Sequence, residues 1–135
     1  MTLFDKKDKT DIENLGEFGL INHLTKNIKL VQPGTLKGVG DDAAVIDTLG
    51  KKMLVSTDML LEGIHFDLAY TPLKHLGYKA IQVNLSDIYA MNGVATQVTV
   101  SIGMSSKFPL EAIEELYEGI YIACEKYGVD LVGGD

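Results

Sequence analysis

Apolar positions along the chain recur at two spacings, which divide it into helices and strands. Glu17–Asn27 (EFGLINHLTKN) sets Phe18, Ile21 and Leu24, with Ile28 just beyond, on one side of a helical period, predicting a short amphipathic helix. Thr71-Pro72 opens a longer helix that runs to about Met91; proline suits a first turn, where its missing N–H would have no partner. On a wheel, Leu73, Leu76, Ala80, Val83, Asn84, Asp87 and Met91 share its face, and Gly93 suits the left-handed position after its end. Pro109 to Tyr127 predicts a third helix that buries Leu110, Ile113, Leu116, Tyr117, Ile120, Cys124 and Tyr127 and stops at Gly128. Gln97–Met104 (QVTVSIGM) alternates and is rich in β-branched residues, so it reads as a strand, as does Val129–Val132. Lys51–Asp58 reads as a strand paired in a hairpin with Ala43–Ile46, and Val31–Lys37 (VQPGTLK) as a loop punctuated by Pro33-Gly34. The expected fold class is α/β: a mixed sheet of about four strands with two long helices on one face. Residues 1–16 are polar and expected to be loosely held, and residues 17–135 form the domain.

Carboxylates interrupt this pattern in a repeated way. Asp87 falls inside the predicted apolar stripe, where an unpaired carboxylate costs several kcal/mol and calls for a metal or a cation. Met53-Leu54-Val55 leads straight into Ser56-Thr57-Asp58, a run of hard oxygen donors of the kind Mg²⁺ prefers. Asp41 and Asp42 follow Gly38-Val39-Gly40 and precede an apolar strand, and Asp135 follows Gly133-Gly134. If these four places converge, they form a bowl able to hold several Mg²⁺ ions, which would in turn hold a polyphosphate. Each site also has an ordinary reading, because Asp near a strand end is a common turn former or helix cap. His65, beside Gly63-Ile64, reads alone as a packed or surface imidazole, Tyr117 as core, and Cys124 as a small buried hydrophobe. GVGDD lacks the Lys-Ser/Thr ending of a phosphate-binding loop and the spacing of a dinucleotide fingerprint.

Composition narrows the partners. The 135 residues carry a net charge of −7, with twelve Lys and no Arg, which argues against nucleic acid. A phosphate bound here would be met by Lys, backbone N–H groups or metal ions, since no Arg fork exists. One Cys excludes an internal disulfide. No apolar run approaches a membrane span, and MTLFDKKDKTD has no apolar signal region, so a cytoplasmic setting is the default expectation.

GVGDDAAV (38–45), VSTDMLLEGIHF (55–66), VNLSDIYAMNG (83–93) and LVGGD (131–135) together resemble the thiamine-monophosphate kinase family. That family lies in the superfamily of aminoimidazole ribonucleotide synthetase, selenophosphate synthetase and a hydrogenase maturation protein. The resemblance runs from about Glu17 to the end; STD followed by GIHF is its most particular part, while NLSD and GGD are shared more widely. It implies ATP-dependent phosphorylation of thiamine phosphate to thiamine diphosphate by direct in-line transfer, with several Mg²⁺ ions bridging the phosphates. It implies metal ligation by Asp42, Ser56, Thr57, Asp58, Asp87 and Asp135, substrate contact by His65, and ATP contact by Tyr117, Gly134 and Asp135, with Asp41 adjacent. It also implies a homodimer in which the sheets of two subunits form a shared β-barrel, and a second α/β domain beyond residue 135, without which turnover is expected to be poor or absent. Two other readings stay open: a related ATP-using enzyme with a different acceptor, and a non-catalytic dimerisation module.

Overall fold

The computed structural model describes residues 9–135. Its elements in order are α1 (Gly16–Thr25), β1 (Thr35–Lys37), β2 (Val45–Ile46), α2 (Leu73–Ala90), β3 (Gln97–Val100), α3 (Leu110–Tyr127) and β4 (Asp130–Gly134). A short 3₁₀ turn, Ile12–Asn14, precedes α1 and is capped by the Asp11 side chain, which accepts from the Glu13 amide. Of the stretch expected to be loosely held, residues 1–8 lie outside the described residues. Thr10 is tied to the start of α3: its amide and hydroxyl donate to the Glu111 carboxylate at 3.0 and 2.7 Å.

The α/β class holds, but the strands form two separate two-stranded sheets. β3 and β4 pair in parallel, with α3 as the crossover, and the register shifts between Val98 and Thr99. β1 and β2 pair antiparallel, Thr35 opposite Ile46 and Lys37 opposite Val45. The 31–37 stretch therefore supplies a strand where only a loop was expected. The 51–58 segment, expected to pair with 43–46, is not a strand; β2 already has β1 as its partner. Met53, Leu54 and Val55 are left 55%, 44% and 83% exposed.

The core lies where α2 and α3 cover the β3–β4 pair. Ile81, Leu85, Ile120, Ala123, Cys124, Val129 and Leu131 are buried together. The two helices touch backbone to backbone. A Cβ built on Gly77 would stand 2.0 Å from the Leu116 carbonyl oxygen, and one on Gly119 would stand 1.9 Å from that of Lys74. This contact sets which side of α2 faces inward: Leu73, Leu76, Gly77, Ile81 and Leu85 are buried. This face keeps Leu73 and Leu76 of the predicted stripe but continues through Gly77, Ile81 and Leu85 and not through Asn84, Asp87 and Met91, because hydrophobicity gives glycine no weight whereas close approach depends on it. Asp87 and Met91, placed on that stripe, are exposed.

Each long helix ends in a left-handed residue. Gly128 takes that place after α3, with φ 63°. After α2 it is Asn92 (φ 56°), not Gly93. The Asn92 amide bonds the Tyr89 carbonyl and the Gly93 amide bonds that of Ile88, the paired closure of a Schellman motif. Gly93 gives room instead: a Cβ there would meet Leu54 Cδ1 at 2.5 Å and the Ile88 carbonyl oxygen at 3.0 Å.

Candidate functional site

The segment after Leu54 runs back along α2, opposite to the helix direction, held at successive points. Leu54 lies on Gly93. The Ser56 hydroxyl donates to Asp87 Oδ2 at 3.1 Å, and the Asp58 amide donates to Asn84 Oδ1 at 3.0 Å. Asn84 and Asp87 stand three apart, hence on one helix face. Asn84 is itself steadied by its Nδ2, which donates to the Ala80 carbonyl at 2.9 Å. Leu60, Phe66 and Leu68 then pack on Leu73, Leu76 and Ala112, leaving Gly63, Ile64 and His65 exposed. The His65 Nδ1 accepts from the Leu61 amide at 3.0 Å, so a neutral His65 carries its proton on Nε2. The His65 carbonyl accepts from Lys79 Nζ at 2.9 Å.

This arrangement joins Ser56 to Asp87 and fixes the main chain of Asp58 one turn away, with Thr57 exposed between them. Asp87 is not the buried carboxylate that the helical wheel suggested; it is a solvent-facing acid meeting a hydroxyl. Asp42 is exposed, and its amide donates to Asp41 Oδ1 at 2.9 Å. Asp41 is paired with Lys37, which together with the Asp42 amide holds its carboxyl below the usual range. Asp135 is exposed at the end of β4. Its amide donates to the Val100 carbonyl and its own carbonyl accepts from Ile102 at 2.6 Å. Gly134 reaches this position with φ 151°, and a Cβ there would lie 1.7 Å from the Val100 oxygen, so no other residue fits. Among the described residues no hydrogen bond or ion pair links Asp42 or Asp135 to the Ser56–Asp87 pair. No three His, Cys, Asp or Glu side chains there are gathered to hold a metal.

Tyr117 is half-buried on α3, edge-on to Tyr121 at 6.2 Å between ring centres, and burial raises its phenol pKa. Both rings line a cleft of about 240 Å³ between α1 and α3, with His23, Asn27 and Glu114. His23 Nε2 meets Glu114 Oε1 at 2.6 Å.

Three contributors are not among the candidate site residues. Asn84 and Lys79 anchor the 56–65 segment, but nothing in a helical pattern marks which polar residue meets a distant loop. Asp130 is fully buried and ties the start of β1 to β4. It accepts from the Val31 and Gln32 amides at 2.6 and 3.0 Å and from the Thr35 hydroxyl at 2.6 Å. A lone acid within the apolar run Val129-Asp130-Leu131-Val132 was the available signal, since such a group must find donors.

Comparison with known proteins agrees with the motifs. Residues 40–135 match the family described as AIR synthase related protein, N-terminal domain. The chain is 37% identical over 124 residues to a thiamine-monophosphate kinase of Aquifex aeolicus (strain VF5), covering 92% of this chain and 38% of that one. It is likewise 37% identical to one of Bacillus subtilis (strain 168), covering 90% and 37%. It superposes on the crystal structure of a thiamine-monophosphate kinase from Stenotrophomonas maltophilia K279a with a TM-score of 0.65 and 30% identity, over 89% of this chain and 37% of that one. A structure described as AaThiL complexed with AMPPCP and TMP matches with a TM-score of 0.61 and 35% identity, over 90% of this chain and 37% of that one. The chain thus spans little more than a third of the length of the relatives it matches.

Proposed function

The chain belongs to the AIR synthase related family as its N-terminal domain, and from that premise we propose that it is part of a kinase that phosphorylates thiamine phosphate to thiamine diphosphate with ATP. The observation that carries the reading is the pinned segment, Ser56 on Asp87 and the Asp58 amide on Asn84, in a chain 37% identical over 124 residues to a kinase named for that substrate.

Asp42, Ser56, Thr57, Asp58, Asp87 and Asp135 would hold Mg²⁺. Their donors are hard oxygens on exposed groups, and Ser56 and Asp87 already stand in contact. A partial protein shell suits this ion, which usually keeps several waters and takes further ligands from substrate phosphates. When bound, Mg²⁺ supplies charge neutralisation at the phosphates. The chain's own part is positioning. α2 presents Asp87 and Asn84 on one face, and Asn84 fixes the main chain carrying Asp58. His65 offers an Nε2–H donor to the acceptor substrate. Gly134 and Asp135 at the end of β4, with Tyr117 on α3, serve ATP. Among the described residues no His is hydrogen-bonded to a Ser, Thr or Cys side chain, and the Ser56 hydroxyl is engaged by Asp87, itself one of the proposed metal ligands; both favour direct transfer without a phosphorylated enzyme.

A homodimer with a shared barrel is part of this proposal. The exposed apolar run Met53-Leu54-Val55 supports it, as apolar surface that a second copy would cover.

The test is an assay of the full-length protein with thiamine phosphate, ATP and Mg²⁺, following thiamine diphosphate by chromatography. Mg²⁺-dependent product formation is expected. ATP turnover only with another phosphate acceptor would replace the reading with a sister enzyme, and no metal-dependent nucleotide binding at all would replace it with a binding module.

A further inference from the structure

Lys79 stands at the His65 loop without belonging to any acidic motif. It is exposed on α2, and its ammonium reaches across to the His65 carbonyl at 2.9 Å. Lys37 is paired with Asp41 and Lys74 with Glu118. Among the described residues no carboxylate lies within ion-pair distance of Lys79. An ammonium has three donors, so one bond to a carbonyl leaves two for a ligand. That bond also fixes where the flexible stem places its charge. The loop is seated on α2 and α3 by Leu60, Phe66 and Leu68, which pack on Leu73, Leu76 and Ala112. The same residue therefore has the Lys79 ammonium at its main chain and an Nε2–H donor on its ring. The Lys79 ammonium and the His65 ring both serve this one loop, and in a chain of net charge −7 lacking Arg an ammonium and a ring N–H are donors suited to an anion such as a phosphate monoester.

We infer that Lys79 is a specificity-determining residue that meets the phosphate of the acceptor substrate held at His65. This rests on the kinase reading above and deepens it: Lys79 distinguishes the phosphorylated vitamin from the free one. The experiment is calorimetric titration of the full-length protein with thiamine phosphate and, separately, thiamine, at fixed Mg²⁺, for the wild type, Lys79→Met and Lys79→Arg. Loss of one charge-assisted hydrogen bond is expected to weaken thiamine phosphate about tenfold in Lys79→Met. Thiamine affinity should be unchanged, and Lys79→Arg should recover much of the loss. Equal weakening of both ligands overturns the inference, since Lys79 would then only hold the loop. No weakening of either also overturns it. A wild type that fails to bind thiamine phosphate fails the kinase reading itself, and this shows before any substitution is made.

Discussion

Gly77→Ala sets two physical effects against each other, and the structure decides the sign. Alanine in a helix interior is favoured over glycine by about 1 kcal/mol, so propensity alone predicts a more stable protein. Against that, the new Cβ would lie 2.0 Å from the Leu116 carbonyl oxygen and 3.1 Å from the Ile120 nitrogen, both main-chain atoms that no rotamer change can move. A comfortable contact lies at about 3.5 Å, so α2 and α3 must part by roughly 1.5 Å. A gap of even about 1 Å forfeits up to half of the dispersion energy between facing atoms. That loss falls on the buried face shared by Leu76, Ile81, Ile113 and Ile120. Overpacking costs about 1–3 kcal/mol where side chains yield, and a main-chain obstacle puts this case at the upper end. The net expectation is a loss of about 2 kcal/mol or more, a fall in Tm of roughly 6–10 °C. Urea denaturation of the chain reads it directly. Gly119→Ala should behave alike, and the double variant should cost little more than either single one, because one displacement relieves both clashes. Gly19→Ala in α1 is the control: its Cβ would lie 3.4 Å from the Leu15 Cβ, an ordinary contact, so it should stabilise by up to about 1 kcal/mol. If Gly77→Ala gains stability as Gly19→Ala does, α2 and α3 do not meet along their backbones.

On the proposed kinase reading, Asp58→Asn and Asp87→Asn in the full-length protein should abolish Mg²⁺-dependent thiamine diphosphate formation while leaving the circular dichroism spectrum intact; near-normal kcat in either would remove that residue from the proposed metal set. Asp130→Asn should destabilise by about 2–4 kcal/mol in urea, since an amide cannot accept from all three donors and a buried N–H left unpaired is costly. Hydrogen exchange should rise first at Val31 and Gln32, and unchanged protection there would show that Asp130 is not their anchor. Burial raises the Cys124 thiol pKa from 9.0 to about 11, with the Asp130 charge adding to it. The neutral thiol is thus favoured in the fold, so its stabilisation is full below about pH 9 and lost as pH rises towards 11. Urea midpoints of Cys124→Ala should lack that part of the alkaline decline shown by the wild type, and identical slopes would contradict it.

The linear pattern determined much of this protein. Periodicity placed α1, α2 and α3 to within a few residues, because each has an apolar stripe long enough to stand out, and Gly128 marked the end of α3. The clustered motifs around Asp42, Asp58, Asp87 and Asp135 carried the family, because spacing and residue type are themselves properties of the sequence. Tertiary structure alone decided the rest. Met53-Leu54-Val55 has the composition of a strand, yet strand formation needs a partner, and β1 had taken β2. Asp87 looked buried because hydrophobicity ignores Gly77 and Gly119, whose missing side chains let two backbones touch and so turn the helix. Asn84, Lys79 and Asp130 gained their roles from groups between 14 and 99 residues away. Such pairings arise only when the chain closes on itself, and no local spacing encodes them.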